Sequence, residues 1–307
     1  MKKILLKLCA IVLVVLFSGC TQQSDNMNNT IIDRAGNTIV VPDNIDRVVS
    51  LSPAITQLII EYDLKEKLIS VDTQSNIIIG GLDDLILMDM MAPDIEMLLE
   101  LDPDIILASE ISFGQDENIF NVLKDNGISV AFIPASQSIA DIKLDNSFIA
   151  DILNISEKGE QLNREMDKQI SIIREIGSEI NNPRTVLFEI SPSPDIYSFG
   201  SETFLNEMIE LIGARNIFSQ ETGWLAVSQE IAISRNPDVI LTNVNFIDDP
   251  VQEILQRNGW QNINAVLNED VFYIDNTSSS LPNNRIIYAL KQMAVAIYPD
   301  EFSQLIE

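Results

Sequence analysis

Between residues 31 and 297 the chain alternates short β-branched runs with amphipathic stretches, and that alternation predicts its elements. Ile31-Ile32-Asp33 and Ile39-Val40-Val41, separated by Ala35-Gly36-Asn37, read as a hairpin with a Gly-Asn turn. Arg47–Leu51 follows as an apolar strand that runs into Ser52-Pro53-Ala54, with Thr56 available to start a helix. Strands are then predicted over 68–71, 105–108 and 130–133, with helices near 94–101 and 118–126. A second series places strands over 186–190, 239–242 and 271–274 and helices over 202–212, 250–256 and 284–297. Strands rich in Val and Ile that alternate with helices indicate a mostly parallel sheet in each series. Between the two series Leu162, Met166, Ile170, Ile173, Ile176 and Ile180 recur at three- and four-residue steps, the period of one long helix. Ser156 is placed to cap it and Asn181-Asn182-Pro183 to end it. From Ser156 to Ile180 such a helix would span roughly 37 Å, more than one sheet needs, so it reads as a strut between two lobes.

A short phrase occurs twice. Glu96 is followed by six residues and then Pro103-Asp104-Ile105-Ile106-Leu107; Glu230 is followed by six residues and then Pro237-Asp238-Val239-Ile240-Leu241. Arg47-Val48-Val49 and Arg184-Thr185-Val186 precede the two glutamates by similar distances. Such doubling predicts two related lobes with a ligand cleft between them. The expected lobes are residues 31–154 and 183–307, joined by the helix 155–182. Each glutamate falls near the start of a short helix, where a carboxylate is favoured by about 0.3–1 kcal/mol. The same pair could instead engage two arginines of a symmetric partner through bidentate bonds.

The N-terminus changes the picture of where the chain works. Lys2, Lys3 and Lys7 precede an apolar run from Leu8 to Phe17, closed by Ser18-Gly19-Cys20, which reads as a signal peptide over residues 1–19. The run is shorter than the about 20 apolar residues a membrane span requires. Its end resembles a bacterial lipobox, with Phe17 where Leu is commonest, and marks Cys20 for lipidation. Residues 20–30 are polar and read as a flexible tether, so the expected location is the outer face of the cytoplasmic membrane. The only two cysteines are Cys9 and Cys20, which leaves the exported domain without a thiol or disulfide of its own. The chain carries 19 basic and 46 acidic residues, net −27, a balance that repels nucleic acid and anionic headgroups. Membrane contact is therefore expected through the lipid alone.

Several chemistries are absent. The sequence contains no histidine, which removes the commonest general base and the commonest transition-metal ligand. It has no G-x-S-x-G, P-loop or G-x-G-x-x-G phrase. Paired acids such as Asp83-Asp84 and Asp248-Asp249 read as solvated loops. A bare-metal-ion binder and a cell-surface enzyme are both disfavoured, and neither catalytic residues nor a resident cofactor or metal is expected.

Three phrases carry a family resemblance: Asp33-x-x-Gly36-Asn37-Thr38 before Val41-Pro42, the run Arg47–Ala54 with Thr56, and Asp94–Asp104. In the second half Phe204-Leu205, Gly213–Ile217, Trp224, Val227–Glu230, Asn236–Asp238, Gly259-Trp260 and Ala265-Val266 continue it. Together they resemble the iron-chelate and cobalamin substrate-binding proteins of ABC importers, over essentially the whole exported chain. The resemblance implies the class III fold: two α/β lobes with mostly parallel sheets flanked by helices, joined by one long rigid helix. It also implies a monomer that delivers its ligand to a permease dimer, with Glu96 and Glu230 as docking carboxylates.

Ligands of open α/β sheets collect beyond the carboxyl ends of strands. That points to Ser52, Pro53, Met90, Met91, Ser109, Tyr197, Trp224, the loop 243–246, and 277–280 with Arg285. Tyr197 and Trp224 match places where the family sets pocket aromatics, whereas Trp260 reads as packing. Arg285 is the one cation expected near the cleft, which disfavours highly anionic catecholate complexes. The expected ligand is a ferric siderophore or related iron complex; cobalamin or another corrinoid, and haem, are the alternatives.

Overall fold

The structure, a computed structural model, describes residues 29–113 and 117–305. The predicted signal peptide, Cys20 and most of the tether lie outside the described residues. Strands of nearly continuous Val, Ile and Leu need cover on both faces, and two parallel sheets with flanking helices provide it.

The first sheet has the order Ile86–Met88, Leu68–Asp72, Val48–Leu51, Ile105–Ser109, Ser129–Ile133, every pair parallel. Chain order reverses between Val48–Leu51 and Ile105–Ser109. Connections leaving those two strands diverge and open a crevice at their carboxyl ends. The second sheet runs Arg215–Asn216, Thr185–Glu189, Val239–Thr242, Val271–Tyr273, again parallel, and reverses between its two central strands. An antiparallel ribbon, Ile196–Phe199 with Trp224–Val227, is interposed between the second sheet's strands in the chain and was not legible as such in the sequence.

The predicted N-terminal hairpin pairs Asn29–Ile32 with Thr38–Val41. Gly36 takes the left-handed φ of 90° that the turn demands. Asp33 accepts from the backbone N–H groups of Ala35 and Asn37 at 3.0 and 2.7 Å. Its other oxygen accepts from the Phe132 N–H at 3.0 Å, which ties the hairpin to the first sheet's edge strand.

The strut is the helix Ser156–Gly177, 22 residues and so about 33 Å long. Ser156 is its first helical residue rather than its cap: Ile155 holds the cap position and no side chain bonds there. The helix also stops three residues short of the expected end. There the Ser178 hydroxyl donates to the Glu175 carbonyl at 2.7 Å, a local bond that competes with helix continuation. Leu162 packs with the first lobe's core, and Met166, Ile170 and Ile173 with the second's.

A second helix, Ile139–Ile152, lies against the strut and also serves both lobes. A reciprocal capping box of Ser138 and Asp141 starts it. Ile139 and Ile142 enter the second lobe's core while Ile149 and Ile152 enter the first's. Apolar residues on several of its faces blur the helical period, which is why the sequence pattern did not announce it.

Candidate functional site

The doubled phrase folds the same way twice. Asp94 caps the helix Ile95–Leu101 by accepting from the Met97 N–H at 3.0 Å, and Ser228 caps Gln229–Arg235 by accepting from Ile231 N–H at 3.3 Å. Both helices end on a left-handed residue, Asp102 at φ 42° and Asn236 at φ 47°, types that tolerate this region. Proline follows in each, and then the aspartate. Asp104 accepts from the Asp46 and Arg47 N–H groups, both at 2.8 Å. Asp238 accepts from the Thr185 N–H at 2.9 Å and its hydroxyl at 2.7 Å. Each Pro-Asp therefore pins the start of the neighbouring central strand, which is the physical reason the phrase recurs.

The Asp104 N–H donates to the Arg47 carbonyl and the Asp238 N–H to the Thr185 carbonyl, each at 2.9 Å. Thr185, not Arg184, occupies the place of Arg47, so the upstream arginine match is one residue out of register. Arg184 instead donates to the carbonyls of Ile297 and Asp238, both at 3.0 Å, and pairs with Asp270.

Each capped helix runs antiparallel to the strand it delivers, so its N-terminus lies toward the carboxyl edge of the sheet, the crevice side. Glu96 and Glu230 occupy these first turns and both are exposed. Hydrogen bonds from its own N–H and from the Ser228 hydroxyl hold the Glu230 carboxyl below its ordinary pKa. At the same sequence offset Met90 corresponds to Trp224, and Met97 to Ile231.

A cavity of about 310 Å³ opens at the first lobe's crevice. Ser52, Pro53 and Met90 line it, as do Ser109 at the end of the strand Ile105–Ser109 and Ile111 beyond it. Leu58 and Ile149 supply apolar walls, and Leu281, Pro282 and Asn283 close it from the second lobe. Among the described residues that line it there is no lysine or arginine. The one charged group among the described lining residues, Asp145, is already engaged: Ser136 donates to it at 2.6 Å and Arg34 Nε at 2.5 Å. Burial nevertheless pushes the Asp145 carboxyl above its usual range.

Arg285 does not offer the free cleft charge expected of it. Its Nη1 pairs with Glu61 of the first lobe at 2.9 Å. Beside it Asn283 donates to the Ala54 carbonyl and to Gln57 Oε1, both at 3.3 Å. Ala54, Gln57 and Glu61 share one face of the helix Pro53–Glu61, so these bonds lace the lobes together behind the cavity.

Tyr197 and Trp224 do not line the cavity. By register Tyr197 faces Ala226 and Trp224 faces Phe199, which places the two aromatics diagonally on one face of the ribbon. They are 45% and 51% exposed, and the Trp224 ring meets Phe199 edge-on at 6.0 Å. Trp260 is fully buried. Sequence reasoning missed the buried ion pair beside Trp260: Glu189, at the carboxyl end of a central strand, receives two bonds from Arg257 at 2.6 and 2.9 Å, and the Arg257 guanidinium lies over the Trp260 ring. Among the described residues no group of three or more His, Cys, Asp or Glu side chains is placed to hold a metal ion, and no helix is long and apolar enough to cross a membrane.

This geometry, two parallel-sheet lobes facing each other across a cleft with a helical backbone, defines a solute-binding fold. A family model described as "Periplasmic binding protein" matches residues 48–277, and the chain belongs to that family. It is 28% identical over 303 residues to an uncharacterized ABC transporter substrate-binding lipoprotein, YvrC, of Bacillus subtilis, covering 94% of this chain and 95% of that protein. A solved structure of a possible iron-binding, periplasmic solute-binding protein from Staphylococcus epidermidis superposes with a TM-score of 0.70 at 29% identity, covering 83% of this chain and all of that one. The molybdate-binding protein MolA of Haemophilus influenzae superposes with a TM-score of 0.77 at 21% identity, covering 90% and 93% of the two chains, and so shares the fold. Other relatives are described as binding cobalamin, vitamin B12 or haem.

Proposed function

We propose that this chain is the solute-binding lipoprotein of an ABC importer, anchored through Cys20, and that it captures a metal chelate and hands it to a permease dimer. The lobes 31–154 and 183–307 hold the ligand between them, with Ser52, Pro53 and Met90 on one side and Tyr197 and Trp224 on the other. Glu96 and Glu230 dock on the permease, whose two-fold symmetry suits a pair of matched carboxylates.

The observation that carries the ligand class is the cavity's lining. Among the described residues it contains no cation, and its one carboxylate is occupied by Arg34 and Ser136. An oxyanion such as molybdate needs donors and positive charge, and a highly anionic complex needs more. A chelate with an uncharged, apolar outer surface fits instead: a ferric hydroxamate, or a corrinoid. Thermal shift of the purified chain with a ferric trihydroxamate, cyanocobalamin, haemin and sodium molybdate tests this, because a ligand that binds the native state raises its melting temperature. A shift with molybdate alone would overturn the chelate reading. For delivery, Glu96→Lys with Glu230→Lys should abolish uptake of the bound chelate at unchanged affinity for it. Normal uptake by that double variant would remove the docking roles.

A further inference from the structure

The hydroxyl of Ser109 is shielded from solvent, lines the cavity and has no hydrogen-bond partner among the described residues. An orphaned polar group in a well-packed fold is uncommon and calls for an explanation. Its position supplies one. Ser109 ends the strand Ile105–Ser109 at the point where strand order reverses, the place where open parallel sheets receive ligands. Apart from the Ser52 hydroxyl, which makes no cap bond to the helix it precedes, the other polar side chains around it are engaged within the protein. Asp145 is held by Arg34 and Ser136, the Asn146 amide donates to Asn163, and the Asn283 amide bridges to Ala54 and Gln57.

We infer that the cavity receives an uncharged, largely apolar arm of the ligand, bearing a single hydrogen-bonding group that meets Ser109 Oγ. This rests on the cleft reading above and sharpens it, by assigning the arm's chemistry rather than the metal's. The volume sets the arm's size. About 310 Å³ corresponds to roughly ten waters at about 30 Å³ each, room for an aryl or short branched alkyl group with an amide or hydroxyl. Charge is excluded from both directions. A carboxylate on the arm would face Asp145, whose Arg34 is already committed, and an ammonium would find the one lining carboxylate among the described residues already holding Arg34.

Two small probes of matched size separate these chemistries without knowledge of the natural ligand. N-Butylbenzamide is neutral with one amide, and 4-butylbenzoate is its anionic counterpart. Calorimetric titration of the full chain should show binding of the amide and at least tenfold weaker binding of the benzoate. Ser109→Ala should weaken the amide by about two- to tenfold, the size of one net hydrogen bond. Ala135→Phe adds a ring at an exposed residue of the cavity rim, and should abolish amide binding while leaving the melting temperature unchanged. Equal binding of amide and benzoate overturns the inference, as does amide binding indifferent to both variants. The chelate panel separates this from failure of the wider reading. If a chelate stabilises the wild type and Ala135→Phe alike, the arm is wrong and the transport role stands. If no chelate stabilises the wild type, the wider reading fails too.

Discussion

Replacing Arg257 by Met should cost the second lobe about 3–5 kcal/mol, because it strands a buried carboxylate. Glu189 ends a central strand with its side chain 1% exposed, facing an Arg257 side chain 4% exposed. The guanidinium gives both amino groups to Glu189 and its Nε to Glu253 at 3.0 Å, and sits 4.2 Å from the centre of the Trp260 ring. Burial raises the Glu189 pKa in spite of that guanidinium. Burial alone would lower Arg257, yet the bonds to Glu189 and Glu253 together hold it above its ordinary value. Methionine fills much of the arginine's volume but provides no charge, so Glu189 keeps its desolvation cost without an attraction to offset it. The loss should be asymmetric. Glu189→Gln leaves Arg257 with Glu253 as counter-ion, so its cost should be only about 1–2 kcal/mol. The double variant, Arg257→Met with Glu189→Met, removes both charges and should lie within about 1 kcal/mol of wild type. Urea unfolding at pH 7, followed by tryptophan emission, measures all three, and the Glu189→Met single added to Arg257→Met and the double variant closes a double-mutant cycle. A cost below about 1 kcal/mol for Arg257→Met, or a double variant that loses the sum of the singles, would refute the argument.

On the proposed placement of Trp224 against the ligand, Trp224→Ala should weaken chelate binding at least tenfold, with little change in melting temperature because the ring is half exposed; unchanged affinity would remove Trp224 from the site. Trp260→Ala should do the reverse, costing about 3–5 kcal/mol of stability through its buried cavity. Asp72, Asp145 and Glu189 are all raised by burial and bind protons more tightly when folded than when unfolded. Stability from these groups therefore falls as pH rises from the ordinary carboxylate range through their raised values. A melting temperature higher at about pH 5 than at pH 8 is expected, helped by relief of the net charge of −27, and a monotonic rise toward pH 8 would contradict it. Below the ordinary range Glu221, held low by Arg235, and Asp238, held low by Thr185 against its burial, become protonated and stability falls again. Gly177→Ala should destabilise by more than about 3 kcal/mol, because an added Cβ would lie 2.3 Å from the Leu211 carbonyl oxygen and neither backbone can yield; unfolding in urea measures it.

Much of this fold was legible wherever structure is local. The strands 239–242 and 105–109 announce themselves because a Pro-Asp start followed by β-branched residues fits little else. The glutamates were found because their caps and turns repeat in sequence as well as in space. What stayed hidden depends on distant partners. Arg285 precedes a helix in a plausible cleft loop, and nothing near it in the chain reveals that Glu61 holds it. Arg257 and Glu189 are far apart in sequence and meet only when the second sheet forms. Helix 139–152 escaped notice because it buries residues toward both lobes. The arginine register error arose because Arg47 and Arg184 precede similar strands but bond to different carbonyls.

The two glutamates are each positioned by about a dozen residues of contiguous chain: a cap, two helical turns, a left-handed residue and a Pro-Asp clamp on the next strand. None of those contacts borrows a residue from the cavity floor. The first turns that carry the carboxylates are thus set by local bonds, and among the described residues their caps and Pro-Asp clamps hydrogen-bond to none that line the pocket. Substitutions that reshape the pocket for a different cargo can accumulate without moving either carboxylate, so one external geometry can be kept while the contents of the cleft diverge.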